Sequence, residues 1–127
     1  RRREIDQLYR AQLGRVKGIH CVEPTGQDIA NHSYFPILVQ PDYPLGRDQL
    51  YEAMKVQDIR ARRYFFPLIS SFPMYRGLPS AAPENLPVAT RLALQVICLP
   101  LFPAMTDEDV ERVVSVIRDE GKCALAS

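Results

Sequence analysis

Residues 60–67 concentrate the side chains of this sequence that are best suited to hold an anionic ligand. Three arginines, one tyrosine and two phenylalanines precede Pro67 within this segment. Arginine binds carboxylate and phosphate groups through paired hydrogen bonds, and tyrosine offers both a flat ring and a hydroxyl group. The segment fits no helical period. We therefore predict a strand over residues 59–65 that runs into a fixed turn and carries polar groups to an edge or a cleft.

Neighbouring residues of a strand point to opposite faces of its sheet, which separates the adjacent arginines of this segment. At most one of Arg62 and Arg63 can therefore face a given cleft. Either side chain has an alternative role in a surface ion pair, with Asp58, with Glu52 or with a partner subunit. Arg60 is predicted to lie on a solvated face.

The sequence holds no complete set of catalytic residues. Lysine, which forms imines with carbonyl groups, occurs three times, at Lys17, Lys55 and Lys122. No glycine-rich loop that could cradle a phosphate accompanies any of them. The three cysteines lie far apart, and with two histidines they give no spacing typical of a metal site or a disulfide framework. We expect a chain that contributes walls to a site whose reactive groups lie elsewhere.

The composition indicates one folded domain. The chain has 127 residues, 46% of them apolar, and a net charge of +1. This apolar content supports a core, and the small net charge gives no general attraction to nucleic acid or membranes. The longest apolar stretch, residues 96–105, contains two prolines and is too short to span a bilayer. The scattered cysteines and the lack of a signal peptide predict a cytoplasmic protein.

The spacing of apolar residues predicts the regular elements of the first half. A leading helix is predicted over residues 2–17, ended by Gly18, and a second helix over residues 47–57. Aromatic and β-branched residues predict a strand over residues 33–40. Pro36 within this strand argues for an edge position or a bulge.

Prolines and polar turn residues separate these elements. Residues 26–31 are turn-like, and four prolines keep residues 67–83 irregular although many of their side chains are apolar. A helix capped by Asn85, a strand over residues 97–101 and a last helix opened by a capping box at residues 106–109 complete the order. We therefore predict an α/β (α+β) fold, a small two-layer sandwich of about three short strands with helices on one face.

Six pieces of the sequence resemble, in order, the C-terminal domain of the DegT/StrS-type sugar aminotransferases. The pieces are residues 31–37, 47–54, 61–68, 74–77, 85–89 with 98–101, and 105–110. The similarity covers nearly the whole chain. The Arg-Arg-Tyr-Phe-x-Pro-Leu motif of residues 62–68 is most similar to enzymes that aminate keto-deoxy sugars carried on thymidine diphosphate (dTDP).

This resemblance implies the fold of aspartate aminotransferase, fold type I, and a pyridoxal 5′-phosphate (PLP) cofactor. It also implies a homodimer, a sugar-nucleotide substrate and glutamate as the amino donor. Residues 1–127 would be the small C-terminal domain, and a missing N-terminal large domain would bind PLP and supply the Schiff-base lysine. The sequence begins at Arg1 without an initiator methionine, as either a cut fragment or a processed mature chain would. We expect the fragment alone to be inactive.

The resemblance also suggests substrate-binding residues. Arg62 and Arg63 would contact the diphosphate of the substrate or the carboxylate of the donor. Tyr64 matches an aromatic position near the active site of the family, with a buried core tyrosine as the alternative. Tyr34 and His32 open the first predicted strand and are further candidates, with a loop or capping role as the alternative for His32. No residue is assigned to catalysis, to PLP or to a metal.

A second hypothesis treats the chain as a free-standing nucleotide- or RNA-binding interaction module. Aromatic and arginine side chains on a small sheet can stack on bases, as they do in RNA-binding sheets. The aromatic residues of this chain do not alternate on paired strands, and the net charge is near zero. The aminotransferase resemblance is therefore preferred, and no nucleic-acid or membrane partner is expected.

Overall fold

The computed structural model describes residues 1–23 and 31–123, and its centre is a three-stranded antiparallel sheet. The strands are β1 (Ile19–Cys21), β2 (Phe35–Val39) and β3 (Val96–Leu99). Their spatial order is β1–β2–β3, which places β2 between its two neighbours.

Within these residues, four α-helices accompany the sheet. They are α1 (Arg2–Leu13), α2 (Arg47–Val56), α3 (Pro87–Ala93) and α4 (Asp107–Cys123). Short 3-10 turns shape the long connection between α2 and α3, at Ile69–Ser71, Pro79–Ala81 and Pro83–Asn85. Within the described ranges, no helix is long and apolar enough to cross a membrane. α1, α2 and α4 pack on one face of the sheet, which confirms the predicted sandwich of three short strands.

The core lies between the sheet and these three helices. Alternate residues of β2 point into it, because successive side chains of a strand face opposite sides, and Phe35 and Ile37 are almost completely buried. Ile37 pairs with Cys21 of β1 and with Ile97 of β3, so it lies in the middle of the sheet. Each helix adds an apolar stripe at spacings of three and four residues. The buried apolar residues of these three helices are Ile5, Tyr9, Leu13, Leu50, Met54, Val110, Val113, Val114 and Ile117.

Pro36 lies in the central strand, which corrects the prediction that it marks an edge strand or a bulge. In the antiparallel register, the missing N–H of Pro36 would face the carbonyl oxygen of Val22, just beyond the end of β1. That oxygen instead accepts a hydrogen bond from Nη2 of Arg10 at 2.9 Å. On its other side Pro36 pairs with Cys98, whose backbone groups bond to Arg62. The strand tolerates this proline because Arg10 satisfies the carbonyl oxygen that its N–H would otherwise bond, and the side facing β3 needs no N–H from residue 36.

The first helix is shorter than the predicted range of residues 2–17. α1 ends at Leu13, and the chain then turns through hydrogen bonds from Val16 N to Leu13 O and from Ile19 N to Val16 O. Gly14, directly after the helix, lowers the preference for continuing it. Val16 still packs against the core from this turn, which explains why the apolar spacing extends past the end of the helix.

The predicted strand over residues 59–65 is wrong except at one residue. Within the described residues of this segment, only Arg62 pairs with the sheet, through an isolated bridge to Cys98 at the outer edge of β3. Asp58 and Phe65 have left-handed backbone angles, with φ of 55° and 52°. Such angles interrupt extended pairing, so the segment touches the edge of the sheet and then turns away.

Smaller differences concern the ends of the strands. The predicted range 33–40 shortens to β2, and β3 begins one residue before the predicted range 97–101 and ends earlier. The sequence-based prediction lacks β1, because a strand of three residues shows too little alternation to be recognised. Residues 26–30 of the predicted turn lie outside the described residues.

A capping box opens α4, as the sequence predicts. The N–H of Asp109 donates to Oγ1 of Thr106 at 3.1 Å, and the N–H of Thr106 donates to Oδ2 of Asp109 at 2.9 Å. Both bonds satisfy backbone groups that have no partner inside the helix.

We expect Thr106→Ala to lower the free energy of unfolding by about 1 kcal/mol, because it removes the hydroxyl acceptor of the cap. Urea unfolding measures the change. Ser115→Ala in the same helix is the matched control, since the Ser115 hydroxyl donates to the carbonyl oxygen of Arg112 one turn earlier and caps nothing. Equal losses in the two variants would argue against the capping role of Thr106.

Candidate functional site

A cavity of about 490 Å³ opens beside the outer edge of β3. Its walls come from the residues before β2, from the segment after α2, from the end of β3 and from the first turns of α4. The lining residues are Ser33, Tyr34, Asp58, Ile59, Arg60, Arg62, Cys98, Leu99, Pro100, Leu101, Phe102, Met105, Asp109, Arg112 and Val113. A mostly apolar lining with a few charged groups is typical of sites for small organic ligands.

The backbone fixes the position of Arg62 in this cavity. Its N–H donates to the carbonyl oxygen of Cys98 at 3.0 Å, and the N–H of Cys98 donates to the carbonyl oxygen of Arg62 at 2.8 Å. The Arg62 side chain is exposed and makes no ion pair with any described residue. A fixed backbone and an unpaired guanidinium suit the binding of an anionic group.

Tyr34 lines this cavity, and Tyr64, which is not a lining residue, packs against Tyr34. Tyr34 is half exposed, and its ring centroid lies 4.9 Å from that of Tyr64. The Tyr64 ring also meets the Phe65 ring edge-on at 4.2 Å. Hydrogen bonding with the Tyr34 hydroxyl raises the pKa of Tyr64, so this phenol stays protonated at neutral pH. The structure thus places two of the predicted site residues, Tyr34 and Arg62, in the cavity lining, and a third, Tyr64, against the ring of Tyr34.

Sequence reasoning misses part of the charged lining. Arg60, which the sequence assigns to a solvated face, lines the cavity beside Arg62. Residues two positions apart in an extended chain point to the same side. The sequence therefore does indicate that Arg60 lies on the same side as Arg62. Asp58, Asp109 and Arg112 complete the charged lining, and no local pattern connects α4 with the segment after α2.

Arg63 turns away from the cavity toward α2. Its Nη1 lies 3.1 Å from Oδ1 of Asp48, and its guanidinium covers the Tyr51 ring at 4.7 Å from the centroid. The divergence of Arg62 and Arg63 follows the alternation expected of an extended chain. Asp58 and Glu52 are the acidic partners expected from the sequence, whereas the partner in the structure is Asp48.

His32 lies next to α1, away from the lining of the cavity. Its Nδ1 is 3.4 Å from Oδ2 of the buried Asp6, whose Oδ1 is 2.7 Å from Nε of Arg10. The backbone of His32 is left-handed, with φ of 46°. This is the geometry of a loop residue held by a helix, which is the alternative considered for this histidine.

Cys98 contributes a thiol to the cavity but no reactive thiolate. Burial raises the pKa of this thiol to about 11, so it is protonated at neutral pH and behaves as a small apolar side chain. In the part of the chain that the structure describes, no group of three or more potential metal ligands occurs.

Neither Lys17 nor Lys55 forms a site for the PLP cofactor that the sequence resemblance implies. Such a site needs a lysine amino group in a cleft, close to donors for a phosphate. Lys17 is exposed, and Lys55 is exposed and lies 3.5 Å from the carboxylate of Glu52. Neither of these two lysines lines the cavity. We therefore assign ligand binding, and no step of a reaction, to the cavity residues.

Known proteins similar to this chain include sugar aminotransferases. The dTDP-4-amino-4,6-dideoxy-D-glucose transaminase of Escherichia coli is 42% identical over 117 residues, which are 92% of this chain and 32% of that protein. The GDP-perosamine synthase of Vibrio cholerae is 28% identical over 124 residues, which are 96% of this chain and 32% of that protein. The chain thus spans about a third of the length of these curated relatives.

The fold and the family agree with these similarities. The structure of DesI, determined in the presence of its TDP-sugar product, superimposes with a TM-score of 0.81 at 28% identity, over 98% of this chain and 30% of DesI. The sequence model of the DegT/DnrJ/EryC1/StrS aminotransferase family matches residues 1–118. Because this match covers most of the chain, the chain belongs to the DegT/DnrJ/EryC1/StrS aminotransferase family.

Proposed function

We propose that this chain is the small C-terminal domain of a PLP-dependent aminotransferase that transfers an amino group from glutamate to a keto-deoxy sugar carried on dTDP. The name of the E. coli relative specifies a dTDP-linked amino sugar, and DesI was crystallised with a TDP-sugar. Membership of an aminotransferase family favours this function over a free-standing nucleotide- or RNA-binding module.

The proposal for this chain rests on Arg62 and Tyr34, which line one cavity, and on Tyr64, which packs against Tyr34. A sugar nucleotide has a diphosphate, which suits the unpaired guanidinium of Arg62. It also has a sugar and a base with flat surfaces, which suit the two tyrosine rings. We assign the diphosphate to Arg62 and the sugar or base to the tyrosines.

The cofactor and the imine-forming lysine belong, in this proposal, to a larger N-terminal domain. PLP bound there supplies the chemistry of amino-group transfer. The residues of this chain bind and orient the sugar nucleotide, so the 127-residue chain alone is expected to be inactive. The free thiols of Cys21 and Cys98 fit a reducing compartment, and we place the enzyme in the cytoplasm.

An exposed apolar surface supports the presence of a protein partner. The connection between α2 and α3, together with α3 and the residue after it, leaves many large apolar side chains in solvent. Examples are Phe65, Ile69, Met74, Leu78, Val88 and Leu94. Single exposed apolar residues are common, but a grouping of this size marks surface that packs against protein. We assign this surface to the larger domain and to the second subunit of a homodimer.

The proposal is tested by amination with the product of the complete coding sequence. The purified protein receives PLP, glutamate and either a dTDP-linked or a GDP-linked keto-deoxyhexose, and mass spectrometry detects the amino sugar. We expect kcat/KM for the dTDP-linked sugar to be at least about tenfold higher. A preference for the GDP-linked sugar would refute the nucleotide assignment, and no amination of either sugar would refute the function. The 127-residue chain is the inactive control.

A further inference from the structure

Different parts of the fold hold the two ends of the segment of residues 62–66. At one end, Arg62 exchanges two backbone hydrogen bonds with Cys98 of β3. At the other end, Phe66 packs against the first turn of α2. Tyr64, which packs against the cavity residue Tyr34, lies between these anchors. Its position therefore depends on both of them.

The first turn of α2 provides a carboxylate that joins two arginines. Oδ1 of Asp48 lies 2.9 Å from Nε of Arg47 and 3.1 Å from Nη1 of Arg63. The Arg47 side chain is only 1% exposed, whereas that of Arg63 is 37% exposed. Burial lowers the pKa of Arg47, and the negative charge of Asp48 opposes this effect. One carboxylate thus offsets the repulsion between two guanidinium groups.

Two aromatic rings complete this arrangement. The guanidinium of Arg63 lies 4.7 Å from the centroid of Tyr51 and 5.5 Å from that of Phe66. The guanidinium of Arg47 lies 4.3 Å from the centroid of Phe66. Cation–π contacts hold a ring and a cation in a defined mutual position. Through Phe66, the end of the segment is therefore attached to α2.

The backbone of Phe65 requires support from its neighbours. Its φ of 52° lies in the left-handed region, which residues with a Cβ adopt only when the surrounding structure holds them there. The Phe65 side chain is 68% exposed and buries little surface of its own. The contacts of Arg63 and Phe66 with α2 flank this residue and supply that support.

We propose that Asp48 and Arg63 are positioning residues, which fix residues 62–66 so that Arg62 presents its side chain to the cavity and Tyr64 supports the ring of Tyr34 there. Neither positioning residue needs to touch the ligand, because both lie on the α2 side of the segment. The inference rests on the proposed function, since it concerns the sugar-nucleotide site. It assigns Arg63 to support of Arg62 and Tyr64, in place of direct contact with the substrate.

Arg63→Gln tests this inference. The substitution removes the charge and both cation–π contacts at an exposed position, so the fold is retained. We expect chymotrypsin to cleave after Tyr64 or Phe65 about tenfold faster, because the segment opens more often. In the complete enzyme, the KM for the sugar nucleotide is expected to rise about tenfold with kcat unchanged, because binding alone is weakened.

Two further variants separate positioning from a general effect on α2. Arg63→Lys keeps a positive charge over the rings and is expected to restore most of the resistance to cleavage and most of the substrate affinity. Glu52→Gln removes the exposed ion pair with Lys55, at 3.5 Å on the same helix, and is expected to change neither quantity.

Unchanged cleavage of Arg63→Gln would overturn the anchoring of the segment. Faster cleavage with an unchanged KM for the sugar nucleotide would show that the position of residues 62–66 does not affect substrate binding, and would overturn that part of the inference. If the unmodified enzyme aminates no sugar nucleotide, the proposed function has failed. The cleavage rates then still decide whether Arg63 holds the segment.

Discussion

Replacement of Gly18 by alanine is expected to lower the free energy of unfolding by about 3 kcal/mol. Gly18 has φ of 79°, a backbone conformation that costs a residue with a Cβ about 1–2 kcal/mol. A Cβ atom at this position would lie 2.3 Å from the backbone nitrogen of Tyr43 and 2.5 Å from its Cα. Both distances are far below van der Waals contact, so the backbone would have to move.

The surroundings of Gly18 resist such a movement. Its carbonyl oxygen accepts a hydrogen bond from the N–H of Gln40 at 2.8 Å, directly after β2. The N–H of Tyr43 donates to the carbonyl oxygen of Gln40 at 3.0 Å, and the Tyr43 hydroxyl donates to the carbonyl oxygen of Ile117 at 2.6 Å. The turn before β1, the end of β2 and α4 are joined at this point, so a shift of Gly18 disturbs all three.

Urea unfolding followed by circular dichroism measures this effect. Gly77→Ala is the matched control, because no heavy atom lies within 4 Å of the Cβ that would be added there. We expect the control to change the free energy of unfolding by less than about 1 kcal/mol. Equal unfolding midpoints for the two variants would show that Gly18 and Tyr43 do not approach each other so closely.

Local sequence patterns identify the helices of this fold better than its strands. The apolar spacing of α1 and the capping box at Thr106 involve residues a few positions apart, so both can be recognised in the sequence. β1 has three residues, too few to show alternation. The place of Pro36 at the centre of the sheet depends on Arg10, which reaches the carbonyl oxygen of Val22 from α1. Such compensation joins distant residues and leaves no local pattern.

Local sequence patterns also predict only part of the candidate site. Alternation along an extended chain separates Arg62 from Arg63, as the sequence indicates. Which of them faces the cavity depends on Asp48, which lies 15 residues before Arg63 and belongs to another element. His32 is likewise held by Asp6 of α1, which its own neighbours in sequence do not reveal. Residue types therefore select the candidates, and tertiary contacts decide their roles.

Arg62→Gln is expected to raise the KM for the sugar nucleotide by about 10- to 100-fold. A hydrogen bond between charged groups contributes about 1.5–3 kcal/mol, and glutamine keeps one donor group but no charge. If Arg62 contacts the diphosphate, kcat and the KM for glutamate should change little. The backbone hydrogen bonds between Arg62 and Cys98 do not involve the side chain, so the fold should be retained.

Arg15→Gln provides the matched control for this variant. Arg15 is exposed and lies outside the lining of the cavity, so the same change of charge is expected to leave both Michaelis constants unaltered. A rise in the KM for glutamate with Arg62→Gln would instead identify the carboxylate of the amino donor as the anion that Arg62 binds.

Steady-state kinetics of the complete enzyme with Arg62→Gln therefore decide whether the cavity beside β3 binds the sugar nucleotide. We expect a higher KM for the sugar nucleotide, an unchanged kcat and kinetics of Arg15→Gln that match the unmodified enzyme. Unchanged Michaelis constants for both substrates with Arg62→Gln would remove Arg62, and with it the cavity, from the substrate site.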